Sequence, residues 1–113
     1  MIQIYHNPRC SKSREGLQIL ENEGKTFEVI KYLETIPSQK ELTRIVSLLG
    51  IAPIDLVRKN EAIWKSDFKG KTLSDSQIID AMIAHPKLIE RPIVINDNKA
   101  IIGRPPSAIL DII

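Results

Sequence analysis

The sequence predicts an α/β fold on a mixed four-stranded sheet, and three observations predict it. The first thirty or so residues read strand, helix, strand; the middle of the chain reads helical; the end reads as a β-hairpin followed by a short helix. Together they make a βαβ unit plus a C-terminal β-hairpin and helix, with an inserted helical region.

Residues 2–5 (Ile-Gln-Ile-Tyr) alternate apolar and polar side chains, as a half-buried strand does. His6-Asn7-Pro8 then signals a loop. A helix opens near Cys10, with Leu17, Ile19 and Leu20 expected on its buried side and Gly24 as its terminator. Residues 27–31 (Phe-Glu-Val-Ile-Lys) read as a second strand, at βαβ spacing and therefore parallel to the first.

Ser38 and Glu41 have capping-box spacing, and Leu42, Ile45, Val46 and Leu49 follow at i, i+3, i+4, i+7. Gly50 ends that helix, and Pro53 suits the first turn of a short one through Leu56 and Val57. Ser74 and Gln77 repeat the capping-box pattern ahead of Ile78, Ile79, Met82 and Ile83, and Pro86 stops the helix after His85. The helical insertion is thus expected at about 38–86.

Residues 93–96 (Ile-Val-Ile-Asn) read as a buried strand, Asp97-Asn98 as a two-residue turn, and residues 99–102 as the returning strand. Pro105 and Pro106 can open a last helix through Ile109, Leu110 and Ile112. The hairpin needs the first two strands to complete a sheet, so residues 1–113 are expected to form one domain.

Composition narrows the function. Sixteen basic against fourteen acidic residues leave a net charge of +2, which is no nucleic-acid footprint. There is one Trp and no aromatic series to stack on bases. No stretch approaches the ~18 apolar residues a membrane span needs. The start lacks a basic segment followed by a long apolar run, so no secretory leader is expected. His and Cys clusters for a metal, glycine-rich phosphate loops and dinucleotide fingerprints are absent. The single cysteine rules out an internal disulfide and fits a reducing compartment, so the cytoplasm is the expected location.

Cys10 is the residue that points to chemistry. It lies where the first strand gives way to a helix, where free backbone N–H groups and the helix dipole favour a thiolate. Arg9, Lys12 and Arg14 stand nearby in sequence and are expected to add positive charge. A lone cysteine is ordinarily a small core residue; one flanked by Arg9 and Ser11-Lys12-Ser13-Arg14 is not an ordinary core position. The position three residues on, where a Cys-x-x-Cys redox pair has its second cysteine, is Ser13. A cycle that oxidises Cys10 must therefore borrow an external thiol, with glutathione or a small redox protein as the natural donor. His6 is either a hydrogen-bonded loop side chain or a partner of the thiolate through space.

Arg58, Arg91 and Arg104 are the candidate anion holders. Each alone reads as a surface arginine. Arg91 and Arg104, however, flank the same hairpin and come close when it closes. Guanidinium forks suit tetrahedral oxyanions and stay charged at any working pH.

The segment Tyr5-His6-Asn7-Pro8-Arg9-Cys10-Ser11-Lys12-Ser13-Arg14 resembles the opening signature of the glutaredoxin-dependent arsenate reductases. Arg58-Lys59-Asn60-Glu61, Glu90-Arg91-Pro92-Ile93-Val94 and Gly103-Arg104-Pro105 resemble their later signatures, in the same order. The resemblance implies a thioredoxin-like fold with an inserted helical region. It implies Cys10 as nucleophile, His6 as the residue that helps activate it, and Arg58, Arg91 and Arg104 as the arsenate- and arsenite-binding residues. Pro92 matches a cis-proline bordering the site, and Ser11, Ser13 and Arg14 belong to the supporting signature. The chain ends at Ile113, sooner after Arg104 than the arsenic-resistance enzymes, which suggests a cousin branch.

The expected activity is reduction of arsenate to arsenite through a Cys10 thiol–arsenate adduct resolved by glutathione and glutaredoxin. No tightly bound cofactor or metal is expected; glutathione serves as co-substrate. The alternatives are a glutathione-linked thiol oxidoreductase acting on another substrate, which would not need Arg58, and a regulatory binding module like the Spx proteins, whose paired-cysteine switch Ser13 removes.

Overall fold

The computed structural model describes residues Met1–Ile113. The chain forms two compact units, one made of Met1–Thr35 and Arg91–Ile113, the other of Ile36–Glu90.

The first unit holds the sheet. Its strands are β1 (Ile2–Tyr5), β2 (Phe27–Ile30), β3 (Ile93–Asn96) and β4 (Lys99–Ile102), in the order β2-β1-β3-β4. β1 runs parallel to β2, with Ile2 opposite Phe27. A parallel pair needs a crossover connection, and helix α1 (Ser11–Asn22) supplies it. β1 and β3 are antiparallel, with Ile4 opposite Val94, and β3 and β4 close the predicted hairpin with Ile93 opposite Ile102. Asp97 takes the left-handed conformation the tight turn requires, at φ 55°.

The alternation in β1 is physical: Ile2 and Ile4 enter the core with Val94, Leu20 and Ile109. Burying each such side chain contributes about 1.5–3 kcal/mol. The buried side of α1 differs from expectation. Leu20 is fully buried, while Leu17 and Ile19 are half-buried against the core; Ser13 and Gly16 complete the inner face. Gly16 is there because of close approach. A Cβ at that position would lie 2.9 Å from both Pro92 Cγ and Ile109 Cδ1. The closing segment is a 3₁₀ helix, Pro106–Asp111, that packs on α1 and β4. Asn96 anchors its end, with Nδ2 donating to the Ile112 carbonyl at 2.7 Å.

The regular elements of the second unit are all helices, and the unit is somewhat wider than the expected insertion. Helix α2 (Gln39–Leu49) starts where Ser38 Oγ accepts from the Glu41 N–H at 3.1 Å and stops at Gly50, φ 68°. A 3₁₀ turn at Pro53–Leu56 follows. Helix α3 (Ala62–Asp67) is too short, and too poorly capped, to stand out in the sequence. Helix α4 (Asp75–Ala84) has the full capping box: Ser74 Oγ accepts from Gln77 N–H at 3.2 Å, and Gln77 Oε1 from Ser74 N–H at 2.8 Å. His85 ends α4 and sets its ring edge-on to Phe68, which stacks on Trp64. No helix is long and apolar enough to cross a membrane.

Candidate active site

Cys10 is the N-cap residue of α1, in extended conformation at φ −98° and ψ 124°. The loop before it is held by Asn7, a buried residue whose importance the sequence signalled only as loop punctuation. Its carbonyl accepts from Cys10 N–H at 3.0 Å, its side-chain Oδ1 accepts from Arg9 N–H at 3.0 Å, and its own N–H donates to Ser13 Oγ at 2.9 Å. The loop therefore has one shape, and Cys10 leaves it with its sulfur at the head of the helix.

The thiol pKa is lowered. Burial acts first and opposes the thiolate; it is overcome by the backbone N–H of Ser13, then the Arg91 guanidinium, then the backbone N–H of Lys12. The amides do not close a formal capping bond, so they act on the sulfur as oriented dipoles at the helix start. This corrects the expected source of charge. The Lys12 ammonium pairs with Glu15 at 3.5 Å, Arg14 Nη1 donates to the Pro8 carbonyl at 3.0 Å, and Arg9 is exposed. Local side-chain charge is turned outward; helix amides and a distant arginine stabilise the anion.

That arginine comes from the entrance of the hairpin. Arg91 is buried, at 8% exposure, and precedes Pro92 through a cis peptide bond, as the signature implied. Arg104, at the exit, is joined to Pro105 by a second cis bond that was not anticipated. Its Nε donates to the Arg91 carbonyl at 2.9 Å, and its Nη2 lies 3.5 Å from Cys10 Sγ. The structure thus brings together Cys10, Arg91 and Arg104. Gly103 permits this closure: a Cβ there would lie 2.8 Å from Pro92 Cγ, and its N–H donates to the Pro92 carbonyl at 2.8 Å.

His6 is buried, and its ring meets Ser13 instead of Cys10, with Nδ1 2.6 Å from Ser13 Oγ. Burial, and then the charges of Lys31 and Arg14, lower its pKa against the Ser13 hydrogen bond, which raises it. The neutral imidazole is the favoured form. Ser13 is fully buried and carries two bonds, one with the His6 ring and one accepted from Asn7 N–H, at the position where a resolving cysteine would stand. Ser11 is exposed at the first turn.

Arg58 belongs to the helical unit. Its N–H donates to the Leu88 carbonyl at 2.7 Å beside the Val57–Ile89 bridge. Its Nη1 meets Glu90 Oε1 at 3.0 Å, and its Nε meets Glu61 Oε1 at 3.5 Å. No group of three or more His, Cys, Asp or Glu side chains is gathered to hold a metal ion.

Chemically, the site is an activated thiol, partly exposed, beside two guanidinium groups. The chain is similar to known proteins over nearly its whole length. The ArsC family matches residues 5–112. The chain is 45% identical to an arsenate reductase of Haemophilus influenzae, over 97% of both chains. It is 44% identical to the uncharacterized protein YfgD of Escherichia coli, over 99% of this chain and 96% of that one. A solved arsenate reductase from Vibrio cholerae superposes with a TM-score of 0.94 at 49% identity, covering 99% of this chain and 97% of the other.

Proposed function

The chain belongs to the ArsC family, and from that premise we propose that it is an arsenate reductase in which Cys10 is the nucleophile and Arg58, Arg91 and Arg104 bind the oxyanion. The observation that carries the reading is the lone thiol at the head of α1, in a chain with no second cysteine, facing the Arg91 and Arg104 guanidiniums.

The Cys10 thiolate attacks pentavalent arsenic, an As–S bond forms, and one As–O bond breaks, its oxygen leaving as water with a proton from solvent. The guanidiniums offset charge on the remaining oxygens. Arg58 is the third anion-binding residue of this reading; its guanidinium is held by Glu90 and Glu61. His6 acts through Ser13, holding the loop and the Ser13 amide that favours the thiolate.

Two electrons must then come from outside, because Ser13 cannot resolve the adduct. Glutathione enters the adduct and glutaredoxin removes it as a mixed disulfide, so that H₂AsO₄⁻, two thiols and a proton give H₃AsO₃, one disulfide and water. Such donors are those of a reducing compartment, and we place the protein in the cytoplasm. The test is arsenate-dependent NADPH oxidation with glutathione, glutathione reductase and glutaredoxin. The wild type should turn over and Cys10→Ser should not; activity surviving Cys10→Ser, or none in the wild type, overturns the reading.

A further inference from the structure

The two arginines beside Cys10 are held differently. Arg91 is buried, and its guanidinium favours the Cys10 thiolate. Arg104 is exposed, and its backbone is fixed: its N–H donates to the Ile102 carbonyl at 2.8 Å, and the neighbouring Gly103 N–H to the Pro92 carbonyl at 2.8 Å. Its guanidinium is a planar fork with one corner, Nε, on the Arg91 carbonyl and another, Nη2, 3.5 Å from Cys10 Sγ. That second position is the space an incoming oxyanion must use. Attack requires the reacting atoms at about 3–3.5 Å, so arsenic at bonding approach to sulfur carries its oxygens against the same Nη2.

We propose that Arg104 is an exchangeable clamp: pivoting on the Arg91 carbonyl, it holds the Cys10 sulfur in the resting enzyme and passes to the oxyanion as the S–As bond forms. The proposal deepens the arsenate-reductase reading and rests on it. Three features support the exchange. Oxygen anions accept N–H donors at shorter range than sulfur, about 2.7–2.9 Å. The step itself removes the negative charge from sulfur: the thiolate pair becomes the S–As bond, one oxygen departs as water with a solvent proton, and arsenic stays pentavalent. The oxyanion keeps its charge, so the better acceptor moves from sulfur to oxygen. Arg91 and the helix amides stay in place throughout, so releasing Arg104 does not abandon the thiolate.

A shared donor makes thiolate and oxyanion competitors before reaction. Measure the affinity for inorganic phosphate, which binds without reduction, by calorimetry at a pH where Cys10 is ionised. Use the wild type, Cys10→Ser, Arg104→Lys and the double variant. Lysine keeps the charge but cannot hold the Arg91 carbonyl and a second acceptor in one fork. Removing the thiolate with Cys10→Ser should tighten phosphate about five-fold or more when Arg104 is present, and by much less in the Arg104→Lys background. Simple charge repulsion between thiolate and phosphate gives the same gain in both backgrounds, and equal gains overturn the clamp. The cycle repeated with Arg104→Gln, a neutral side chain at an exposed position, should again lose the difference. Phosphate that binds none of the proteins also overturns the clamp. The proposed activity is read separately, by arsenate-dependent NADPH oxidation, so the two can fail independently.

Discussion

The Nδ1 atom of His6 lies 2.6 Å from Ser13 Oγ, and Ser13 is the residue whose backbone N–H does most to favour the Cys10 thiolate. The histidine thus reaches the nucleophile through a serine. The Ser13 hydroxyl is the hub: it accepts from Asn7 N–H at 2.9 Å, and Asn7 in turn accepts Cys10 N–H. Ser13→Ala leaves a buried amide and a buried imidazole nitrogen without that partner, which costs about 1–3 kcal/mol. The variant should lose that much in urea unfolding, and its Cys10 thiol should titrate higher than wild type. Unchanged stability and an unchanged thiol would remove Ser13 from its positioning role.

Burial, Lys31 and Arg14 keep the folded His6 below its ordinary value, so the unfolded chain takes up the proton more readily. The stability His6 provides is complete above the unfolded value of about 6.5 and is lost as pH falls through the folded one. Unfolding free energies of wild type and His6→Asn should therefore converge as pH falls below about 6.5. A gap that stays constant with pH would show that His6 does not titrate on unfolding.

Gly16 and Gly103 both pack closely on Pro92 and Ile109. Adding a methyl group in such a space costs about 1–3 kcal/mol. Gly103→Ala should lower the unfolding free energy by that amount and reduce arsenate turnover as well, since Arg104 is the next residue. Gly50→Ala is strained for a different reason, its left-handed φ of 68°, and meets no neighbour within 4 Å; it should cost stability while leaving the thiol titration unaltered.

The two classes of arginine should separate in one experiment. Arg91→Gln should raise the Cys10 thiol pKa and lower kcat/KM for arsenate by about 10²-fold or more. Arg58→Ala should lower kcat/KM for arsenate by a similar factor while the free thiol titrates as in wild type. An Arg58→Ala enzyme with full arsenate activity would return the chain to the alternative of a thiol oxidoreductase with another substrate.

Much of the fold was legible because its signals are local. Ser38, Ser74, Gly24, Gly50 and the Asp97-Asn98 turn mark boundaries that depend only on nearby backbone. The position of Cys10 at a helix start was legible for the same reason, and so was the pairing of Arg91 with Arg104, since a hairpin brings its two ends together. The direction of long side chains was not. Arg9, Lys12 and Arg14 are adjacent in sequence to Cys10 yet turn to solvent, Glu15 or Pro8, because flexible stems follow the nearest partner, not the nearest number. Gly16 and Gly103 serve the close approach of Pro92, a tertiary fact that no local signal carries. The short helix α3 carries neither a capping side chain nor enough turns to show a period.

Oxyanion reduction at this site depends on Cys10 being an ionised nucleophile. The measurement that tests it most directly is the thiolate absorbance of the protein across pH, with and without arsenate; Cys10 is the one thiol in the chain. The midpoint should lie below the ordinary value of about 8.5, and arsenate should remove the thiolate signal as the S–As bond forms. A thiol that titrates at the ordinary value and is indifferent to arsenate would contradict it.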